Sequence, residues 1–416
     1  MIESVNTNQH GGRRWAAHGA IVLSFVVALE FVIMISPFAF VFYSVFNPFL
    51  LALNQSPLTR WLTAFFLPHM IVPPNELLKV IRIFGSWSFL GGAAVFLICA
   101  AQIYVGRLFR KGPALKGFYT IIRHPQYAAL AIAALGLALM WPRFLTLALF
   151  AAMLFLYWLL AKNEEHRMLN RFGDSYRSYM EQTGMFLPRF IETVFIRKPA
   201  TTQIGVGKTF AILAALLIVC VGSGFILRTY TVHHLPLEQI GNVDVITITK
   251  DDLESARELL PTALQDLTVA RKLRDAQSRS GHRLLAYFIP IDYVMQGMIA
   301  DTGPEWKLFQ HHKTFSMIAE YIMHPFAHLT SGHAHHMAGM THDAAMYASP
   351  MMKRRIIFLD VSTNGRALSS PFEDFGINTQ RTPLFFVDVH LHTDEILQVK
   401  DTPTGSGWGS VPTPMF

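Results

Sequence analysis

Long apolar runs separated by short polar links fill the first half of the chain, and shorter alternating patterns replace them after about residue 228. Five runs are long and apolar enough to span a bilayer, at about 19–46, 85–106, 125–141, 143–161 and 208–228. The first follows a polar leader with Arg13 and Arg14 and lacks a small-residue cleavage site, so it reads as an uncleaved anchor. A sixth stretch, Trp61 to Val72, is short and interrupted, as an interfacial or re-entrant segment would be. Beyond residue 228, Val243–Thr249 alternates as a strand, and Asp251 to about Ser278 reads as a helix that Pro261 kinks or divides. Leu284–Ile289, Arg355–Val361 and Leu384–His392 predict further strands, Trp306–Met323 a second long helix, and the Gly/Pro/Ser-rich residues 402–416 an extended tail. The fold class is a multi-pass α-helical membrane protein of about five transmembrane helices with a C-terminal soluble α+β domain, divided as 1–228 and 229–416.

Composition supports the membrane reading: 52% of the 416 residues are hydrophobic and only 15% are charged. The net charge of +7 is unevenly divided, with 20 basic and 8 acidic side chains in residues 1–228 against 15 and 20 in residues 229–416. Lys and Arg cluster before the first run, between the second and third, and between the fourth and fifth, which places those links in the cytoplasm and the C-terminal domain outside it. Arg60, Lys79 and Arg82 run against the rule without reversing it. The localisation expected is a plasma (bacterial inner) membrane with a cytoplasmic N-terminus and a periplasmic or extracellular C-terminal domain. The basic excess reports topology, and nucleic acid is not implied as a partner. Cys99 and Cys220 both fall in apolar runs, so no disulfide framework holds the outer domain.

Polar chemistry gathers where the third and fourth runs form a hairpin about the Trp141-Pro142 turn. Each helix covers roughly 26–28 Å at about 1.5 Å per residue, so the hairpin returns Lys162, Glu164 and Glu165 to the edge that holds Arg123, His124 and Tyr127. The third run carries many small residues, among them Ala129, Ala133 and Gly136, which either permit close helix approach or leave room for a ligand. Basic residues at such an edge are often plain anchors; motif, hairpin and paired glutamates in one order argue for a site.

The order Arg123-His124-Pro125-Gln126-Tyr127, Glu164-Glu165, Phe172-Gly173-Asp174-Ser175-Tyr176-Arg177-Ser178-Tyr179 and Pro188-Arg189-Phe190 resembles the integral-membrane methyltransferases related to isoprenylcysteine carboxyl methyltransferase and phospholipid N-methyltransferase. The resemblance covers about residues 117–190, and Ala129 stands where that family often has glycine. It implies S-adenosylmethionine (SAM) as cofactor and methyl transfer as the reaction. The residues implied to bind the cofactor are Glu164 and Glu165 for its positive groups, Arg123 and His124 for its carboxylate, and Tyr127 and Tyr119 for the adenine. Methyl transfer rests on positioning, so no catalytic side chain and no essential metal is expected in this half. The acceptor would be a lipophilic molecule or a small thiol, amine or carboxylate reaching the site from the bilayer, which makes membrane lipid a partner. Gly205-Val206-Gly207-Lys208-Thr209 is not a phosphate loop, because Thr202 stands where a further glycine is needed.

In the C-terminal domain, His324, His328, His333, His335, His336 and His342 fall within nineteen residues, interleaved with methionines through residue 352. Imidazole with thioether suits copper and imidazole alone zinc; a polar surface loop has the same composition. Asp388, His390 and His392 alternate on a predicted strand and form a second candidate for metal or acid–base work. The segment from Gln296 to Gly303 reads as a turn. The alternative to an enzyme is a metal-binding or accessory protein that uses the methyltransferase-like helices as a scaffold and docks a protein partner through its C-terminal domain.

Overall fold

The computed structural model describes residues 49–50, 52–68, 71, 75–108, 117–195, 206–277, 283–293, 296–302, 352–363 and 368–403. The expected span 19–46, the helix 306–323, the six clustered histidines and residues 404–416 lie outside the described residues. The chain divides into two compact units, one holding Val80–Phe225 and the other holding Ile226–Phe416 together with residues before Val80.

In the first unit, α1 (Glu76–Leu108), α2 (Pro125–Met140), α3 (Phe144–Phe172), α4 (Asp174–Gln182), α5 (Arg189–Phe195) and most of α6 (Val206–Val232) follow one another. Among the described residues three helices are long and apolar enough to cross a membrane: Glu76–Ile103, Phe144–Phe172 and Gly207–Val232. α2, expected as a full span, is a shorter apolar helix of 16 residues. α3 runs eleven residues past its expected end at 161, so the glutamate pair sits within the helix and not in the link after it.

Small residues serve close packing. A Cβ on Gly92 would come 2.5 Å from the Ala133 nitrogen and 2.7 Å from the Ala129 oxygen, and one on Gly136 would meet the Phe89 amide and lie 2.5 Å from the Gly85 oxygen. The backbones of α1 and α2 therefore touch, and the small face of α2 is used for helix approach. The α3 entrance packs on α6, with Phe144 and Phe225 ring centroids 4.4 Å apart.

The second unit is built on one six-stranded sheet in sequential order: β1 (Leu237–Ile240), β2 (Val243–Thr247), β3 (Arg283–Pro290), β4 (Lys353–Ser362), β5 (Gln380–His390) and β6 (Ile396–Asp401). Among these six described strands only β2 and β3 pair in parallel. That connection carries α7 (Lys250–Gln265) and α8 (Leu267–Gln277), as a parallel crossover requires. Thr249, expected inside the strand, caps α7 by accepting from the Asp252 amide at 3.1 Å. The break between the helices falls at Asp266, not Pro261; the Asp266 carboxylate accepts the amides of Thr268 (2.8 Å) and Val269 (3.0 Å) and starts α8.

Val243, Ala286, Phe358 and Val387 pack with Leu259, Leu260, Ala263 and Leu273 into the main core. The opposite face is buried as well, at Leu285, Tyr287, Ile357, Leu359 and Phe386, which explains why the central strands read as near-continuous apolar runs. The expected interfacial stretch from Trp61 forms a single 3-10 turn, Arg60–Thr63, followed by buried Phe65 and Phe66. Arg228, near the end of α6, donates to the carbonyls of Phe65 and Phe375.

Candidate functional site

Two segments supply the polar groups at one end of the α2–α3 hairpin. Arg123 and His124 stand just before α2, whose first residue, Pro125, has the fixed φ and absent amide that suit a first-turn position. Glu164 and Glu165 come from α3. Gly173, at φ 53°, then turns the chain into α4. After α4 the backbone returns beside the entry to α2: the Arg123 amide donates to Gly184 O (2.8 Å) and the His124 amide to Met185 O (3.1 Å). A Cβ on Gly184 would collide with the Leu187 carbonyl, so this return has room only for glycine.

Arg123 is buried and engaged through Nε and Nη1. Its Nε donates to Glu165 Oε1 at 2.6 Å, and its Nη1 donates to Met180 O at 3.1 Å and to Thr183 O. Lys162 Nζ stands 3.5 Å from the other Glu165 oxygen. A buried charge is tolerated only when paired and hydrogen-bonded, and this one is both. Arg123 and Glu165 thus fasten α3, α4 and the entry to α2 to one another.

Glu164 is placed differently. Its side chain is 34% exposed while that of Glu165 is 4% exposed. Glu164 Oε1 accepts from the Tyr127 hydroxyl at 2.8 Å, and its Oε2 lies 3.4 Å from His124 Nδ1. His124 Nε2 is buried without a hydrogen-bond partner; the nearest carboxylate, Glu165 Oε1, is 3.8 Å away and beyond hydrogen-bond reach. Burial works against the imidazolium, but the Glu164 and Glu165 carboxylates beside the ring outweigh it and hold the His124 pKa above its ordinary value. The Tyr127 ring stacks between His124 (centroids 5.7 Å apart) and Tyr157 (5.1 Å).

Five of the six residues singled out in the sequence therefore share one network. Tyr119 stands at its margin, where its hydroxyl reaches Gln126 Oε1 at 3.5 Å and its carbonyl accepts from Tyr179 at 2.5 Å. Sequence reasoning passed over Tyr157, although it lies seven residues before Glu164 on one face of a helix, a spacing that could have found it. It also passed over Met180 and Thr183, which act through main-chain carbonyls and carry no side-chain signal.

The metal candidates fare otherwise. His324, His328, His333, His335, His336 and His342 lie outside the described residues. Among the described residues no group of three or more His, Cys, Asp or Glu is placed to hold a metal. Asp388, His390 and His392 do not assemble: β5 ends at His390, His392 lies in the following turn, and Asp388 is buried and held by Arg355 at 2.7 and 2.8 Å. Gln296, read as part of a turn, opens a one-turn helix and is buried, accepting from Arg355 (2.7 Å) and Thr302 (3.0 Å).

Residues 98–175 match the family described as phospholipid methyltransferase. The matched stretch contains Arg123, His124, Tyr127, Glu164 and Glu165. No curated protein and no solved structure gives a significant match to the chain.

Proposed function

We propose that the phospholipid methyltransferase domain at residues 98–175 makes this protein a SAM-dependent membrane methyltransferase whose acceptor is a phospholipid or another lipophilic molecule. The observation that carries the reading is the asymmetric glutamate pair: Glu165 is buried and held by Arg123, while Glu164 stays part-exposed with His124 Nδ1 3.4 Å from its Oε2.

The donor set fits the cofactor's chemistry. Glu164 would meet its positive groups, His124 would donate to its carboxylate, and the Tyr127–Tyr157 stack offers an aromatic wall. When bound, SAM supplies an electrophilic methyl group. Everything left to the chain is positioning: Tyr127 fixes one Glu164 oxygen, His124 faces the other, and Arg123 with Glu165 holds both segments in place without touching the ligand. A thiolate or carboxylate acceptor needs no base, and an amine needs only to lose its proton to water before it takes the methyl group. The clustering of Lys and Arg in the links on this side supports a cytoplasmic site.

The test is transfer of label from methyl-labelled SAM by the full-length protein in vesicles containing phosphatidylethanolamine. Label should enter the lipid extract and fall by about tenfold or more in Glu164→Gln, because one charged hydrogen-bond acceptor is lost. Label that never leaves SAM, with folded protein and with total membrane lipid as acceptor, would defeat the proposal.

A further inference from the structure

The sheet-bearing unit contains a cavity of about 470 Å³, within the size range of small-molecule sites. Asn75, immediately before α1, and His234, two residues after α6, both line it. Chain continuity therefore sets this cavity at the ends of two helices of membrane-spanning length, the level at which lipid headgroups lie. Its wall is a stripe of α7 in which Lys250, Glu254 and Arg257 recur at helical spacing, with Leu253 as an apolar neighbour.

The polar groups are oriented and partly unspent. Glu238 holds Arg257 through Nε (2.9 and 3.0 Å) and Nη2 (2.7 Å), which leaves Nη1 outside that pair. His234 stacks on Tyr230 with centroids 4.2 Å apart, and its Nδ1, 2.7 Å from Tyr230 O, donates there and leaves Nε2. Asn75 Oδ1 accepts from the Leu77 amide at 2.8 Å, which leaves its amide donors. No hydrogen bond or ion pair of the exposed Lys250 ammonium occurs among the described residues.

We infer that this cavity binds the zwitterionic, phosphate-bearing headgroup of a membrane phospholipid. Lys250 and the free side of Arg257 meet the phosphate, Glu254 meets the headgroup cation, and Leu253 with its apolar neighbours faces the glycerol end. A single-sign wall would select a purely anionic or cationic ligand; Lys250, Glu254 and Arg257 alternate in sign along one helix face, matching a dipolar one. This site belongs to the sheet-bearing unit and is independent of the methyl-transfer residues.

Native mass spectrometry of the full-length protein, released from detergent and titrated with phosphatidylethanolamine, phosphatidylglycerol or a galactosyl diacylglycerol, tests it. One phosphatidylethanolamine should persist on the wild type. Its occupancy should fall about tenfold in Lys250→Gln, while Glu254→Gln should lose the preference over phosphatidylglycerol. Both side chains are exposed, and unchanged thermal unfolding confirms that each variant is folded. Equal occupancy in wild type and variants, or equal binding of the phosphate-free galactolipid, would overturn the inference. Soluble glycerophosphoethanolamine binding as tightly as the lipid would overturn the membrane source and leave a soluble phosphate ester as ligand. Glu164→Gln should keep the lipid adduct, so that failure here is separable from failure of the methyltransferase reading.

Discussion

Replacing Arg123 by alanine tests whether the Arg123–Glu165 pair is the fastening of the hairpin. The substitution leaves the 4% exposed Glu165 carboxyl without its buried cation, and it strips donors from the carbonyls of Met180 and Thr183. Breaking one side of a buried pair costs about 3–5 kcal/mol. At about 2–4 °C per kcal/mol for a unit of this size, Tm should fall by roughly 6–20 °C in detergent-purified protein. The double variant Arg123→Met/Glu165→Leu removes both charges and should recover most of that loss, because an apolar pair carries no desolvation penalty. Lys79→Ala is the control: its pair with Glu76 at 2.7 Å is 44% and 84% exposed and should be worth at most about 1 kcal/mol. An Arg123→Ala variant melting within about 2 °C of wild type would refute the reasoning, since no buried charge would then have been stranded.

Other consequences are as concrete. Gly136→Ala should destabilise the helical unit by about 1–3 kcal/mol, because its Cβ meets the backbone of α1, whereas Gly91→Ala has open space and should be neutral; thermal melts of the two side by side decide it. Asp266→Ala removes the acceptor of two amides at the start of α8 and should cost about 1 kcal/mol, read as a shift in the unfolding midpoint. Burial beside the Asp244 carboxylate, only partly offset by Arg283 and Arg381, pushes the Asp374 pKa up to about 8. The folded chain then keeps a proton that the unfolded chain loses above about pH 4, so stability falls as pH rises from there through about 8. Asp374→Asn should flatten the fall in Tm between pH 5 and pH 9, and parallel curves for variant and wild type would contradict the assignment.

The clustering at the hairpin end was legible in the sequence because its ionisable residues stand out against apolar helices and because helix length alone returns Glu164 and Glu165 to the level of Arg123. The division of labour within the glutamate pair was not legible: it depends on carbonyls at Met180 and Thr183, positions where any side chain presents the same acceptor. In the sheet, β2, β3, β4 and β5 were readable from their apolar runs, while the edge strands Leu237–Ile240 and Ile396–Asp401 were missed, since with a partner on one side only they keep polar residues such as Glu238, Gln239, Gln398 and Lys400. Pro261 suggested a break that α7 absorbs in its last turns, and the true break at Asp266 follows from side-chain capping. The Arg355–Asp388 pair, 33 residues apart in sequence, joins neighbouring strands β4 and β5 on the second buried face. Alternation along β5 made Asp388, His390 and His392 look like a site, while Asp388 is held by Arg355.

The central claim is that the Glu164–His124–Tyr127 cluster holds SAM. Titration calorimetry of SAM into detergent-purified full-length protein, with Glu164→Gln and His124→Ala beside it, measures this directly. The wild type should bind saturably, and both variants should lose binding while their folding persists. Folded wild-type protein that binds no SAM, or variants that bind it as well as wild type does, would contradict the account.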